Sequence, residues 1–343
     1  MTQKLAFGRR QSALKPTIAE GGSIFCASIQ PPSAIVDFRA AFAPPKGQFL
    51  SHERYMNQFI SDLISKYEPK NKNDYENALH EIMQELALVG LWRSKFFEVG
   101  AFYGGTSLRI LYGLDRFSED LDFSLLKPNP SFHLQPYLLA IQNELVMSGF
   151  NTTVEQKVKH PDAKVHSAFL KTNTLETFIR IGLSGKEKKT TQMNEVMKIK
   201  IEVDIDPPPM FATETKVLLT PLPFSVKTYV LEDLFAGKMH ALLFREYKVR
   251  VKGRDWYDFV WYVARKTPLH LAHLEARMRQ SGNWNREESV TQEVLLGLLK
   301  NKIAHLNVRA AIDDILTFIR DKRKIEIWSQ DFFLSLLPQL HCV

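Results

Sequence analysis

Two aspartates one residue apart, Asp120 and Asp122, lie in the run Arg116-Phe117-Ser118-Glu119-Asp120-Leu121-Asp122-Phe123. Alternation of polar and apolar residues predicts a strand with both carboxylates on one face and Leu121 and Phe123 on the other. At an effective dielectric of about 20 and a separation of about 4 Å, two such charges repel by on the order of 4 kcal/mol. That repulsion favours a raised pKa or a bound cation. The competing reading is a solvated pair on an edge strand. Just upstream, the apolar run 96–99 predicts a buried strand and Gly104-Gly105 a turn. Thr106-Ser107 then starts an amphipathic segment with Leu108, Leu111 and Tyr112 at helical spacing. Such a turn presents backbone N–H groups to an anion, and hard carboxylate oxygens beside it suit Mg²⁺ carrying a nucleotide phosphate.

A second carboxylate-bearing strand is predicted over 197–206. Ile199, Ile201, Val203 and Ile205 alternate with Lys198, Lys200, Glu202, Asp204 and Asp206. Alone this is a half-exposed strand with a charged outer face; beside Asp120 and Asp122 it offers a third carboxylate, Glu202 or Asp204. A helix from Leu231 places acids in its first turn, where the helix dipole favours them, and carries Lys238 and Arg245 on one face. The run Lys238, Arg245, Lys248, Arg250, Lys252, Arg254 holds a single acid, Glu246, and reads either as a solvated face or as a phosphate-tracking one. Asp255 and Asp258, three apart, fall on one side of a helix.

The elements that must position these residues follow from the remaining pattern. Residues 1–50, rich in Pro and Gly, read as an irregular arm. Helices are predicted over 51–67 and 74–89, with Asn73 as N-cap and Gly90 as the residue beyond the C-terminus. A helix over 135–147 and strands over 151–158, 166–172 and 177–183 follow, then a basic loop, 185–191, that is either a solvated turn or a phosphate contact. Pro207-Pro208-Pro209 marks a hinge, and 211–229, with Pro221 and Pro223, reads as a linker with a short extended piece. Further helices are expected near 268–281, 287–302, 307–320 and 328–338, with Trp256, Tyr257, Trp261 and Tyr262 as core. The division is thus an arm (1–50), a core (51–210) and a mainly helical part (211–343).

The 343 residues carry a net charge of +7, compatible with a polyanionic partner. Two distant cysteines, Cys26 and Cys342, make no disulfide framework, and no apolar run approaches membrane-spanning length. A cytoplasmic protein is expected. No histidine or cysteine spacing suggests zinc.

The strand, glycine turn, helix and Asp-x-Asp order resembles the nucleotidyltransferase superfold of DNA polymerase beta, poly(A) polymerases and CCA-adding enzymes. The closer resemblance is to the AbiEii/AbiGii toxin family, which includes the MenT toxins. It rests on Gly104 to Leu108, on Arg116, Ser118, Asp120, Leu121, Asp122 and Phe123, on Lys200-Ile201-Glu202-Val203, and on Lys238, Ala241, Arg245, Arg254, Asp255 and Asp258.

The resemblance implies an α+β fold, a nucleotidyltransferase-like mixed sheet with flanking helices followed by a helical C-terminal domain. It implies Mg²⁺ or Mn²⁺ on Asp120 and Asp122 with Glu202 or Asp204. Gly104, Gly105, Thr106 and Ser107 would cradle a triphosphate, with Arg116, Ser118, Arg245, Arg254 and Asp255 as further nucleotide contacts. Lys238 would neutralise phosphate charge, and Asp258 would position Lys238 or the nucleotide. The implied reaction moves NMP from an NTP to an RNA 3′ end, tRNA foremost, in a toxin with an antitoxin encoded nearby. Transfer to a protein hydroxyl, or an RNA-binding module with a dead site, are the alternatives.

Overall fold

The computed structural model describes residues 52–157, 163–174, 177, 195–245 and 251–343. The expectations for the arm 1–50, the basic loop 185–191, nearly all of the strand 177–183, and Lys248 and Arg250 lie outside these residues.

Seven strands form one mixed sheet in the order β3-β4-β5-β2-β1-β7-β6. They are β1 (Gly100–Tyr103), β2 (Leu121–Leu125), β3 (Thr152–Lys157), β4 (Val165–Asn173), β5 (Val196–Asp204), β6 (Thr213–Leu218) and β7 (Phe224–Tyr229). The central β2 pairs antiparallel with β1 and parallel with β5, and β1 pairs parallel with β7. The helices are α1 (His52–Ser65), α2 (Lys72–Arg93), α3 (Gly104–Tyr112), α4 (Gln135–Met147), α5 (Leu231–Phe244), α6 (Gly253–Ala264), α7 (Leu271–Gln280), α8 (Gln292–Ala304), α9 (Val308–Ile315) and α10 (Gln330–Leu336).

Strand alternation divides the core in two. Phe102, Leu121, Phe123, Ile199, Ile201 and Val203 point to one face and pack with Leu63, Leu86 and Leu138 of α1, α2 and α4. Burial of each such side chain contributes about 1.5–3 kcal/mol, which fixes the strand register. Ala101 and Tyr229 point to the other face and join Leu234, Trp256 and Phe259 of the C-terminal helices. Trp256, Tyr257 and Tyr262 are core, as expected. The carboxylates stand on this second face, between the sheet and α5.

Several expectations are corrected. Phe96–Glu98 is a 3-10 turn rather than a strand, entered through Lys95 at φ +62°, and the strand begins only at Gly100. The helix start expected at Thr106 comes at Gly104. Asn71, not Asn73, caps α2, accepting from the Asp74 N–H. Gly90 does not end that helix, which runs to Arg93; a Cβ there would lie 2.9 Å from the Ile141 Cα, so the glycine permits α2 and α4 to touch. Residues 211–229 are not a linker, because β6 and β7 form an antiparallel hairpin that extends the same sheet through β1. A boundary near residue 210 therefore falls inside the sheet.

Candidate active site

The site is built where β1 turns into α3. Tyr103 ends β1 opposite Asp122, and Gly104 follows at φ +84° as the first residue of α3. A Cβ on Gly104 would lie 2.6 Å from Asp122 Oδ2, and one on Gly105 2.7 Å from Arg116 Nη2 and 3.0 Å from Ser118 Oγ. Both glycines are thus needed for the close approach of turn and carboxylate strand. Two hydroxyls brace the turn. Thr106 Oγ1 donates to the Asp120 carbonyl, and Ser107 Oγ donates to the Gly104 carbonyl at 2.8 Å. Both hydroxyl protons are thus committed to carbonyls, and the first backbone N–H groups of α3 are left without intrahelical acceptors. Gly104→Ala combines a left-handed φ with this clash. It is expected to cost about 1–3 kcal/mol of stability and to abolish triphosphate binding. Thermal melting and nucleotide titration check this; an alanine variant equal to wild type in both would remove the turn from the site.

Asp120 lies one residue before β2, and Asp122 lies within it. Parallel pairing with β5 sets Asp122 directly beside Glu202 and Ser124 beside Asp204. Burial first, then the charges of Asp120 and Glu202, push the Asp122 carboxyl up to about 7 against the pull of Lys238 and Lys200. Burial also raises Asp120. Asp204 is the more distant rival. It accepts from the Asp206 N–H at 3.0 Å, and its carboxyl, raised mainly by burial, feels Arg277. Glu202 is held by Ser167 Oγ at 3.0 Å and by Lys200 Nζ at 2.7 Å.

Among the described residues no three His, Cys, Asp or Glu side chains are gathered closely enough to hold a metal ion. The donors nonetheless suit a hard divalent cation. They are carboxylate oxygens without Cys or His, and the Asp122 carboxyl is raised by burial and by two neighbouring anions, a cost that a cation would relieve. Asp120 and Asp122 can hold it, and Glu202 can join by turning from Lys200.

Lys238, on α5, is only 13 % exposed and sits between two aspartates of α6, with Asp255 Oδ1 at 2.9 Å and Asp258 Oδ2 at 2.8 Å. Burial lowers its pKa, but the two carboxylates outweigh burial and raise it, so it stays charged. Asp258 also receives both Nε and Nη2 of Arg116 at 2.6 Å, and Arg116 Nη1 donates to the Phe117 carbonyl at 2.9 Å. Arg116 is 2 % exposed and Asp258 0 %. Arg116 and Asp255, expected as nucleotide contacts, are therefore buried supports of the turn and of Lys238. Arg245, 46 % exposed, reaches Asp255 Oδ2 at 3.0 Å. Arg254 pairs with Glu119 at 2.7 Å and stacks on Phe318, 4.2 Å from its ring centre, away from Asp255. Ser118 lies at the rim beside Gly105.

Three contributors were not read from sequence as site residues. Gln84 of α2 is buried and donates to the carbonyls of Ser118 and Glu119 at 3.0 and 3.1 Å, holding the approach to Asp120. Lys200 and Tyr103 border the carboxylates. Lys200 follows from its strand face two residues before Glu202; Gln84 has no sequence signal beyond its helix.

The family model of the nucleotidyl transferase AbiEii toxin, of type IV toxin–antitoxin systems, matches residues 86–335, a span holding every residue from Gly104 to Asp258 described above. The chain belongs to this family. The glycine turn, the Asp-x-Asp strand and the Lys238 helix all lie within the matched span. No curated protein matches it in sequence. Among solved structures, JHP933 from Helicobacter pylori is similar at 18% identity over 77% of this chain and 91% of that one, with a TM-score of 0.46. Another H. pylori protein, provisionally described as a nucleotidyltransferase, is similar at 18% identity over 76% and 93% of the chains, with a TM-score of 0.44. Among the described residues no helix is long and apolar enough to cross a membrane.

Proposed function

We propose that this AbiEii-family protein transfers a nucleoside monophosphate from an NTP to the 3′ end of an RNA, the acceptor end of tRNA foremost, with Mg²⁺ or Mn²⁺. One observation carries the reading: the Asp122 carboxylate lies against Gly104 at the start of α3 and in register with Glu202, on the face closed by Lys238. The backbone N–H groups of Gly105, Thr106 and Ser107 hold the phosphates. Lys238, fixed by Asp255 and Asp258, neutralises charge that grows in the transition state. Asp120 and Asp122 would hold a divalent ion, which when bound would supply Lewis-acid charge stabilisation at the transferred phosphate. The acceptor hydroxyl oxygen bonds to the α-phosphorus, the bond to the bridging oxygen breaks, and pyrophosphate leaves. The tRNA acceptor rests on the resemblance to the MenT toxins. A cognate antitoxin is the expected partner, and the cytoplasm the expected compartment.

Incubation with each labelled NTP, Mg²⁺ and total RNA tests this. Label is expected in a tRNA-sized band and absent with Asp120→Asn, whose circular dichroism matches wild type. Label on a protein band selects the protein-hydroxyl alternative, and an Asp120→Asn variant that still labels RNA refutes the metal assignment.

A further inference from the structure

We propose that Arg277 of α7, against the ring of Tyr103, forms the subsite for the terminal phosphates of the incoming nucleoside triphosphate. Arg277 lies outside every motif that carries the family resemblance. The inference rests on the nucleotidyltransferase reading and deepens it.

The first observation is an unpaired buried donor. The Arg277 Nε is buried and has no hydrogen-bond partner among the described residues. No described carboxylate lies within ion-pair distance of its guanidinium, whereas Arg279, two residues on, reaches Glu275 at 2.8 Å and the Arg286 carbonyl at 2.7 Å. A buried N–H without an acceptor is costly, and an anion arriving beside the Arg277 Nε would relieve that cost.

The second observation is position. The guanidinium carbon lies 6.0 Å from the centre of the Tyr103 ring. Tyr103 directly precedes Gly104 and pairs across the sheet with Asp122. Arg277 is therefore one side chain away from both the phosphate turn and the carboxylate strand. Its charge reaches Asp204 on the same sheet face. The neighbouring His240 and His273 are held neutral, pushed down to about 4 by burial first and then by Arg277 among others, so they add no competing charge.

The third observation is adjacency to Lys238. Gly237, beside Lys238 on α5, would place a Cβ 3.8 Å from the Arg277 guanidinium carbon. That is ordinary van der Waals distance, so the guanidinium lies directly against the helix surface at Gly237. The helix thus carries Lys238 and touches Arg277 at adjacent positions. A planar fork of N–H donors matches phosphate oxygens two at a time, which a lysine does not. With the α-phosphate committed to the Asp120–Asp122 end, the phosphates beyond it are the anions left for Arg277.

The test uses the full chain, with the four NTPs, the matching NMPs and inorganic tripolyphosphate as probes in Mg²⁺. Arg277→Gln is expected to weaken NTP and tripolyphosphate binding about 10–100-fold, with NMP affinity and melting temperature unchanged. KM for the NTP should rise more than kcat falls. Arg277→Lys, which keeps charge and packing, should bind triphosphate with intermediate affinity. Equal affinity of wild type and Arg277→Gln for NTP, or an equal loss for NTP and NMP, overturns the assignment and leaves the active-site reading standing. A wild-type protein that binds none of the NTPs overturns both. Should Arg277→Gln melt early, an Arg277→Lys variant with wild-type NTP affinity still refutes the fork contact.

Discussion

Asp258→Ala is expected to destabilise the protein by about 3–5 kcal/mol, the cost of leaving a buried charge without its partner. Arg116 loses both of its 2.6 Å contacts in a position that is 2 % exposed, and Lys238 loses one of its two anchors. Arg116 cannot reach bulk water without opening the junction of α5, α6 and the residues before β2. For a domain of this size the melting temperature should fall by roughly 10 °C. Transfer should fall with it, because Lys238 no longer has a fixed place. Arg245→Ala is the contrast. That side chain is 46 % exposed, and its ion pair with Asp255 is screened, so the cost should stay below about 1 kcal/mol. Equal melting of Asp258→Ala and wild type would show that the buried network is not what joins these helices to the turn.

Asp122→Asn should act in opposite directions on stability and turnover. Loss of several kcal/mol of charge stabilisation at the transferred phosphate corresponds to a drop of about 10³-fold or more. The folded protein should nevertheless become more stable at pH 8 in the presence of a chelator. The Asp122 carboxyl is raised to about 7 by burial and by Asp120 and Glu202. Between an ordinary aspartate pKa and that value, the folded state keeps a proton that the unfolded chain has released. Wild-type stability therefore declines as pH rises from about 4 to 7, and the ionised carboxylate burdens the fold fully above that range. Asparagine removes the burden, so the gain should be on the order of 2–4 kcal/mol at pH 8 and should vanish near pH 4. Denaturant melts of both proteins across this range decide it. A variant that gains nothing at pH 8 would show that Asp122 is not the strained carboxylate.

The parts of this site that sequence made legible are those with a local period. The strict alternation of 199–205 placed Glu202 and Asp204 on the carboxylate face, and strand pairing then ranked Glu202 nearer to Asp122. The helix over 135–147 was readable to the residue. Asp255 and Asp258 could be placed on one side of a helix, but not their work as counter-ions, because their partners stand 10 to 142 residues away. The hairpin of β6 and β7 was hidden by Pro221 and Pro223, which fall in its connection and imitate a linker. Phe96 and Phe97 imitate a strand because buried aromatics suit a tight turn as well as a ladder. Arg277 sits in a polar helix beside Arg279, and nothing in its own neighbourhood distinguishes the cation that is paired from the one that is not.

The parallel contact of β7 with β1 ties the chemistry to the second half of the chain. The strand that delivers Gly104 has Asp122's strand on one flank and residues 224–229 on the other. Severing the polypeptide near residue 210 would strip one flank of the catalytic hairpin and expose its amides and carbonyls as a template for foreign strands. A rearranged gene would have to keep 224–229 beside 100–103 to preserve the ladder.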